Sequence, residues 1–240
     1  MTMEMIEIKE NVPLAPLTTL GVGGPARFFA TVKNQDELSE AVRFAEGDNL
    51  PLFILVGGSN VVISDAGFPG LVIRMAMTGI EVTFDGDAVL VRAGAGEAWD
   101  PLVEYCVSRG WQGIECLSGI PGSVGAAPVQ NIGAYGVSAS RAISQVEVFD
   151  RRDKTIKTLT AEQCAFSYRD SIFKHPEGSS YIILAVTLRL IRSSLGLIPA
   201  YHDLQGFFRD QSEAGLVDLR NAILEIRSRK GMVILPGYET

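Results

Sequence analysis

Hydrophobic residues recur at helical spacing in three stretches of the 240-residue chain. The first, residues 35–46, follows a potential N-terminal cap at Asn34 or Asp36; the second is residues 99–107, and the third is residues 217–230. The residues on the apolar face are Leu38, Ala41, Val42 and Ala45 in the first stretch, Trp99, Leu102, Val103, Cys106 and Val107 in the second, and Leu219, Ala222, Ile223 and Ile226 in the third. The pattern predicts three amphipathic helices.

Shorter hydrophobic runs predict strands before, between and after the first two helices. They are residues 26–30, 52–56, 71–74, 80–84, 88–93, 143–149 and 181–190. A hairpin turn is expected at 85–87 and one capped helical turn at 160–164. The order of elements is typical of an α+β fold and lacks the strict βαβ alternation of a Rossmann sheet. The small-residue stretch 193–196 suits a linker.

Composition narrows the class of protein. Hydrophobic residues make up 47% and charged residues 20% of the chain, and the net charge is −7 without a run of Lys or Arg, so nucleic acid is not an expected partner. Three cysteines without a CxxC spacing indicate neither a disulfide framework nor a zinc site, and no metal is expected. No 18-residue apolar run exists and the N-terminus is acidic, so the sequence predicts a cytoplasmic protein without a membrane segment.

Twenty-five glycines concentrate in loops, of which residues 57–60 (Gly-Gly-Ser-Asn) follow a predicted buried strand. Glycine lets successive backbone N–H groups converge on an anion, and the Ser and Asn side chains add donors. An ordinary strand-terminal turn is the alternative interpretation. The glycines at 21–24 precede a strand instead of a helix, which argues against a dinucleotide fingerprint.

The longest glycine-rich loop spans residues 120–136 and has neither helical nor strand periodicity. Loops of this length inside a compact domain are usually functional. Small residues would let a flat ring lie on the backbone, and Gln130 and Asn131 could bond its edge. The alternative is a structural Ω-loop that packs on its own side chains.

Residues 166–174 bring Arg169 close to Tyr168 and Lys174 in a sparsely charged region. The Arg169 guanidinium could hold a carboxylate or phosphate, or stabilise a developing oxyanion. A surface ion pair with Asp170 is the plainer alternative.

Taken together, residues 11–24, 56–61, 120–136 and 168–174 resemble the UDP-N-acetylenolpyruvoylglucosamine reductases, flavoenzymes of peptidoglycan precursor synthesis. The resemblance implies a vanillyl-alcohol-oxidase (PCMH-type) fold, in which two α+β subdomains hold FAD non-covalently and a further domain covers the substrate. It also implies that NADPH reduces the flavin, which then reduces the enolpyruvyl group of the UDP-sugar to give UDP-N-acetylmuramate. We expect a flavin-binding part at 1–194 and the start of a substrate domain at 195–240.

The resemblance also carries individual roles. Arg169 falls on the catalytic arginine, and Tyr168 and Tyr201 fall on substrate-binding positions. The expected FAD-binding residues are Gly57, Gly58, Ser59 and Asn60 at the pyrophosphate, and Gly122, Ser123, Gly125, Gln130, Ile132 and Gly133 along the rest of the cofactor. Two alanines at 126–127 replace the small hydroxyl residues or glycines that many members have, which would remove a hydroxyl contact to FAD.

The resemblance weakens at the C-terminus. Family members continue to a Gly-Ser-Phe-Phe-type motif with the proton-donating serine and then to an assisting glutamate, and the 240 residues contain no Ser-Phe-Phe. The sequence is therefore interpreted as a C-terminally truncated member with impaired turnover. The apolar side of its helix at 217–230 is expected on the flavin-binding part, on a partner chain or partly in solvent, and an exposed stripe would favour self-association. The alternatives are a non-catalytic FAD- or UDP-sugar-binding protein and another oxidase or dehydrogenase of the same fold; the YRDSIFK motif and Tyr201 argue against the latter.

Overall fold

The chain folds around two β-sheets, and the computed structural model describes residues 6–209 and 211–233. The helices are α1 (Gln35–Gly47), α2 (Trp99–Val107), α3 (His202–Gln205) and α4 (Leu216–Arg229). The strands are β1 (Ile8–Pro13), β2 (Pro25–Val32), β3 (Leu52–Leu55), β4 (Phe68–Met75), β5 (Ile80–Asp85), β6 (Ala88–Gly94), β7 (Trp111–Gln112), β8 (Gly133–Ala134), β9 (Val137–Ser138), β10 (Ile143–Asp150), β11 (Thr155–Thr160), β12 (Tyr181–Arg192), β13 (Leu195–Leu197) and β14 (Glu213–Gly215). Single 3₁₀ turns lie at Ala15–Leu17, Glu115–Leu117, Val124–Ala126, Ala139–Arg141, Ile172–Lys174 and Pro176–Gly178.

The first sheet has the strand order β1-β2-β4-β3. Strands β2, β4 and β3 run parallel, because α1 carries the chain across from β2 to β3, whereas β1 is antiparallel to β2. Alternate residues point to opposite faces. Ile73 of β4 therefore joins the main core with α1, while Val72 packs with Phe29 in a smaller cluster on the other face.

The second sheet is antiparallel, with the order β11-β10-β12-β6-β5 and β7 paired to the end of β12. The central strand β12 pairs along most of its length with both β10 and β6. Its side chains, with those of α1 and α2, form one buried cluster that extends from the first sheet to the second. Both sheets therefore share one hydrophobic core, and the loops that leave it lie at fixed positions.

Helix α4 packs its apolar side inside the chain. Leu219 and Ile223 are fully buried against Cys116, Tyr135 and Leu204. Of the three placements considered for this apolar side, packing inside the same chain is the one found, so self-association stays a prediction and would need another surface.

The stretch at 193–196 differs from the predicted linker, because Leu195–Leu197 forms the ribbon strand β13 paired with β14. Gly196 lies so close to its surroundings that a Cβ there would be 2.9 Å from Leu216 and 3.0 Å from Glu115. A small residue at this position thus serves close packing and not mobility.

The three predicted amphipathic helices and all seven predicted strands are present, with ends shifted by three residues at most. Asn34 caps α1 by accepting from the Glu37 amide at 2.9 Å. The turn at 160–164 forms as expected, with Thr160 and Gln163 each bonding the backbone amide of the other. In the described parts of the chain, no helix is long and apolar enough to cross a bilayer.

Candidate functional site

Two cavities share the loop at 120–136 as part of their walls. The first measures about 410 Å³ and the second about 680 Å³. Gln130 and Ile132 line the first cavity, whereas Asn131 and Gly133 line the second. Neighbouring residues of one short segment therefore face two different compartments.

The first cavity collects most of the residues predicted to bind FAD. They are Gly57, Gly58, Ser59, Asn60, Ser123, Gly125, Gln130 and Ile132. Apolar side chains from β3, α2 and β12 complete the wall; they include Leu55, Trp99 and Ile183. The cavity thus combines an apolar surface with a rim of backbone amides, which suits a flat ligand that carries anionic groups.

The turn at 57–60 is shaped by contacts that require glycine. Gly58 has a φ of +60°, and its carbonyl accepts from the Thr19 amide at 3.1 Å. A Cβ at Gly58 would lie 2.1 Å from the Leu17 carbonyl oxygen, which no side chain tolerates. Among the described residues, nothing accepts a hydrogen bond from the amides of Gly58, Ser59 and Asn60, so three N–H groups remain available to a phosphate.

The first part of the loop at 120–136 is held by hydrogen bonds to Ala95, which directly follows β6, and to α2. Gly122 O accepts from the Trp99 amide at 3.0 Å, and Gly125 donates to the Ala95 carbonyl at 2.9 Å. Gly122 also lies against the 57–60 turn, because a Cβ on Gly57 would be 3.1 Å from the Gly122 Cα. Although Gly122 does not line the cavity, it sets the spacing between its two glycine-rich walls.

Ser123 offers the first cavity a hydroxyl that is free to bond a ligand. Its Oγ is buried on the first cavity and has no hydrogen-bond partner among the residues that the structure describes. A buried hydroxyl without a partner is costly unless a ligand or water satisfies it.

The second cavity brings together the three residues predicted for catalysis and substrate binding, Tyr168, Arg169 and Tyr201. Gly133, expected at the cofactor, lines this cavity instead. Within the described part of the chain, no Asp or Glu lines it, whereas Arg169, Arg227 and Lys230 do. Lys230 also pairs with Asp203, so Arg169 and Arg227 carry most of the positive charge of the cavity, which suits an anionic ligand.

Arg169 stands at the tip of a tight turn. Ser167 and Asp170 exchange two backbone hydrogen bonds of 3.1 and 3.3 Å, and Arg169 between them has a φ of +55°. A non-glycine residue in this region is uncommon and costs about 1–3 kcal/mol, and such strain concentrates at functional sites. Tyr168, next to it, is 91% exposed and free to contact a ligand.

The Arg169 side chain points to the neighbouring loop and not to Asp170. Its Nη2 donates to the Gly133 carbonyl at 2.9 Å, while Asp170 pairs with His175 at 2.7 Å. The alternative of an Arg169–Asp170 ion pair is therefore wrong. Lys174, which lines the first cavity, donates from Nζ to the Arg169 carbonyl at 2.9 Å and ties the turn to that side.

Asn131 has a different role from the ligand contact considered from the sequence. It is 5% exposed, its Nδ2 donates to the Ser167 carbonyl at 2.8 Å, and its Oδ1 accepts from the Ser140 amide at 3.0 Å. Because both polar atoms are engaged, the side chain holds the two loops together and does not serve to bond the edge of a ligand ring. Its role depends on two segments far apart in sequence, and no local signal indicates it.

Three further residues of the second cavity were missed in the sequence. Tyr135 packs edge-on against Tyr201 with ring centroids 5.1 Å apart, and burial raises the pKa of Tyr135 although the positive charge of Arg227 opposes the shift. Arg227 and Lys230 come from the end of α4. Since they are three residues apart on a helix, their shared direction could have been read from the sequence.

These features define a class of protein. The model of the family described as "FAD binding domain" matches residues 26–159, and the chain belongs to that family. More particularly, its sequence is similar to those of UDP-N-acetylenolpyruvoylglucosamine reductases. The relative from Thermobifida fusca is 43% identical over 230 residues, which cover 95% of this chain and 64% of the relative. The relative from Cutibacterium acnes is 43% identical over 232 residues, which cover 95% of this chain and 61% of the relative. The chain thus spans less than two thirds of the length of these curated relatives.

Solved structures agree with this assignment. The UDP-N-acetylenolpyruvylglucosamine reductase of Thermus caldophilus superposes with a TM-score of 0.69 at 29% identity, covering 93% of this chain and 70% of the other. A solvent-stable cholesterol oxidase shares the fold alone, with a TM-score of 0.60 at 13% identity. The first cavity fits FAD, because the free amides at 58–60 suit its pyrophosphate and the unpartnered Ser123 hydroxyl offers a further hydrogen bond.

Proposed function

We propose that this protein takes part in the NADPH-dependent reduction of UDP-N-acetylenolpyruvoylglucosamine to UDP-N-acetylmuramate, a step of peptidoglycan precursor synthesis. The observation that carries the proposal is the alternation at 130–133, where Gln130 and Ile132 line the apolar cavity and Asn131 and Gly133 line the cationic one. A flavin in the first cavity and an anionic enol ether in the second would then lie on adjoining sides of one loop. Because hydride transfer needs the reacting atoms about 3–3.5 Å apart, the flavin ring would have to reach past the edge of this loop and contact the enol ether directly.

The first cavity would hold the cofactor. The amides of Gly58, Ser59 and Asn60 would bind the pyrophosphate, with Gly57 and Gly122 permitting the close approach of the two loops. Ser123, Gly125, Gln130 and Ile132 would bind the remaining length. Bound FAD would supply the chemistry of accepting a hydride from NADPH and delivering it to the substrate.

In the second cavity, Arg169 would act on the substrate carboxylate. Hydride addition to the terminal carbon of the enolpyruvyl group leaves negative charge on the carbon that bears the carboxylate, and this charge spreads onto the carboxylate oxygens. A guanidinium that binds those oxygens stabilises the charge as it develops. Tyr168 and Tyr201 would contact the UDP-sugar, and the cationic surroundings at Arg227 and Lys230 favour its diphosphate.

The carbanionic carbon must then receive a proton. The 240-residue polypeptide contains no Gly-Ser-Phe-Phe-type motif, so we expect it to perform this protonation slowly on its own. Loss of a positioned proton donor typically costs about 10²–10⁴ in rate. Reduction of the flavin by NADPH does not use that donor and should be less affected.

Rapid mixing separates the two half-reactions. We expect the purified polypeptide to bind FAD with a visible flavin spectrum and to be bleached by NADPH. We then expect UDP-N-acetylenolpyruvoylglucosamine to reoxidise it slowly, and Arg169→Gln to slow that second step further by about 10²–10³. Arg189→Gln is the control, because Arg189 pairs with exposed Asp85 on the second sheet, away from both cavities. A colourless polypeptide that cannot be reconstituted with FAD would contradict the proposal.

The outcome also distinguishes the alternatives. FAD binding without any reoxidation by the UDP-sugar would favour a non-catalytic flavin-binding role, and reoxidation by a hydroxy acid or sugar substrate would favour another oxidoreductase. We expect the function to be exerted in the cytoplasm, where the three unpaired thiols remain reduced.

A further inference from the structure

Helices α2 and α4 meet at a partly buried charge pair next to the FAD cavity, in which Arg220 is buried and the Asp100 side chain is 32% exposed. Arg220 on α4 is 7% exposed and donates from both Nη atoms to the Asp100 carboxylate on α2, at 2.6 and 2.8 Å. Such bidentate pairs fix geometry as well as charge. None of the sequence patterns pointed to these two residues, and neither lines a cavity.

The Asp100–Arg220 pair is hydrogen-bonded to Gly119, which directly precedes the loop at 120–136, called the FAD loop below. The same Asp100 Oδ1 accepts from the Gly119 amide at 2.6 Å, and Arg227 Nε donates to the Gly119 carbonyl at 3.0 Å. Gly119 is thus held through both its backbone groups, and its φ of +71° places it so close to α4 that a Cβ would lie 2.9 Å from Leu224.

Trp99, the residue before Asp100, fixes the two ends of the same segment. Its indole Nε1 donates to the Leu117 carbonyl at 3.1 Å, and its backbone amide donates to the Gly122 carbonyl at 3.0 Å. The first turn of α2 therefore contacts residues 117, 119 and 122 in succession. Since Gly122 lies directly against Gly57, a shift of this segment would change the width of the cradle between the two glycine-rich loops.

We propose that Asp100 and Arg220 are positioning residues for the cofactor: the Arg220 guanidinium orients the Asp100 carboxylate, and that carboxylate fixes Gly119 and thereby the FAD loop. The inference rests on FAD binding only, and it does not depend on the substrate proposed above. It predicts that FAD affinity follows the Asp100–Gly119 hydrogen bond and not the stability of the fold as such.

A paired replacement separates these two effects. Asp100→Leu/Arg220→Met substitutes apolar side chains of similar size, and such replacements of a buried ion pair often preserve stability. We expect the apo double variant to unfold near the wild-type temperature and yet to bind FAD at least about tenfold more weakly in a fluorescence titration, because the Gly119 amide has lost its charged acceptor. If the double variant keeps both the wild-type unfolding temperature and the wild-type FAD affinity, the inference is overturned.

A milder variant covers the case in which the double replacement does not fold. Arg220→Lys keeps the charge but not the bidentate geometry. We expect faster hydrogen exchange at residues 117–122 and a parallel rise of the FAD dissociation constant. The matched control is Arg92→Lys, since Arg92 on β6 pairs with Glu147 on β10 at 2.7 Å, away from the loops at 57–60 and 120–136. It should change neither the hydrogen exchange nor the FAD dissociation constant. An Arg220→Lys protein with unchanged exchange and affinity would contradict a positioning role.

The two proposals fail differently. If the wild-type polypeptide binds FAD and the variants bind it equally well, only the positioning role is overturned. If the wild-type polypeptide binds no FAD at all, both the positioning role and the proposed reduction are overturned.

Discussion

The side-chain amide of Asn131 donates a 2.8 Å hydrogen bond to the carbonyl of Ser167, thirty-six residues further along the chain. Asn131 belongs to the loop that separates the two cavities, and Ser167 begins the turn that carries Arg169. One buried side chain therefore sets the distance between the loop at 120–136 and the proposed catalytic arginine.

Asn131→Asp should break this link with almost no change in shape. The variant loses the N–H donor and places a carboxylate against a carbonyl oxygen, which should lower the free energy of unfolding by about 1–3 kcal/mol. Because the Arg169 turn would shift, the reoxidation half-reaction should slow by on the order of 10²-fold. Reduction by NADPH should stay within a factor of about three, as rapid-mixing absorbance would measure.

Asn49→Asp is the matched control for that change. Both asparagines have a positive φ, +45° for Asn131 and +51° for Asn49, but Asn49 lies exposed just after α1. Its substitution should leave both half-reactions unchanged. Equal effects of the two substitutions would mean that the inter-loop hydrogen bond has no special role.

Arg169 should show a conflict between stability and function. In Arg169→Ala the strained φ of +55° remains, whereas in Arg169→Gly it costs nothing. After allowance for the greater freedom of unfolded glycine, the Gly variant should be more stable than the Ala variant by about 0.5–1 kcal/mol in urea unfolding. Both should lose the reoxidation step. An Ala variant as stable as the Gly variant would show that the backbone is not strained there.

Gly58→Ala should abolish FAD binding, because the new Cβ would lie 2.1 Å from the Leu17 carbonyl oxygen and the 57–60 turn would have to move. Gly86→Ala is the control: it has a similar φ of +59° in the β5–β6 turn, but its Cβ would meet nothing within 4 Å. That control should cost only the conformational strain, about 1 kcal/mol, and retain FAD. Flavin absorbance after reconstitution and gel filtration measures the difference.

The three thiols should be inert in the native protein. Burial raises the pKa of Cys106 and Cys116 to about 12 and that of Cys164 to about 11, so none forms much thiolate near neutral pH. At about pH 8, iodoacetamide should modify them only after denaturation. Native labelling at the rate seen in denaturant would contradict this.

The raised thiol pKa values also determine whether the free energy of unfolding rises or falls at alkaline pH. Below the unfolded value of 9.0 the thiols are protonated in both states and stability is unaffected. Above it the unfolded chain releases protons that the folded chain retains, so the free energy of unfolding should fall as the pH rises from about 9 to 12. Thermal unfolding of the wild type and of Cys106→Ala across this range would measure the contribution of one thiol.

The sequence predicts the elements whose hydrophobic pattern is long and regular. Helix α1 and the central strand β12 show it clearly, and both were predicted nearly to their ends. Strands β1 and β11 were missed because they are edge strands with largely polar faces. The apolar side of α4 was identified correctly, but what covers it was left open, since two of the covering residues, Cys116 and Tyr135, lie far earlier in the chain.

At the site, the resemblance identified the residue types and the fold brought them together. Arg169, Tyr168 and Tyr201 lie on one cavity, although Tyr201 comes from a separate part of the chain. The division into two cavities was not predicted, because it depends on which way successive residues of an irregular loop face. The contacts of Asn131 and Asp100 were missed for a similar reason: each serves a backbone group that is defined only in the folded protein.

The alternation at residues 130–133 limits how this loop can change during evolution. Insertion or deletion of a single residue there would exchange the side chains presented to the two compartments and affect both at once. Most surface loops accept changes in length easily. We therefore expect homologues that use both compartments to keep the spacing from Gln130 to Gly133 constant, even where the identities of the residues around it drift.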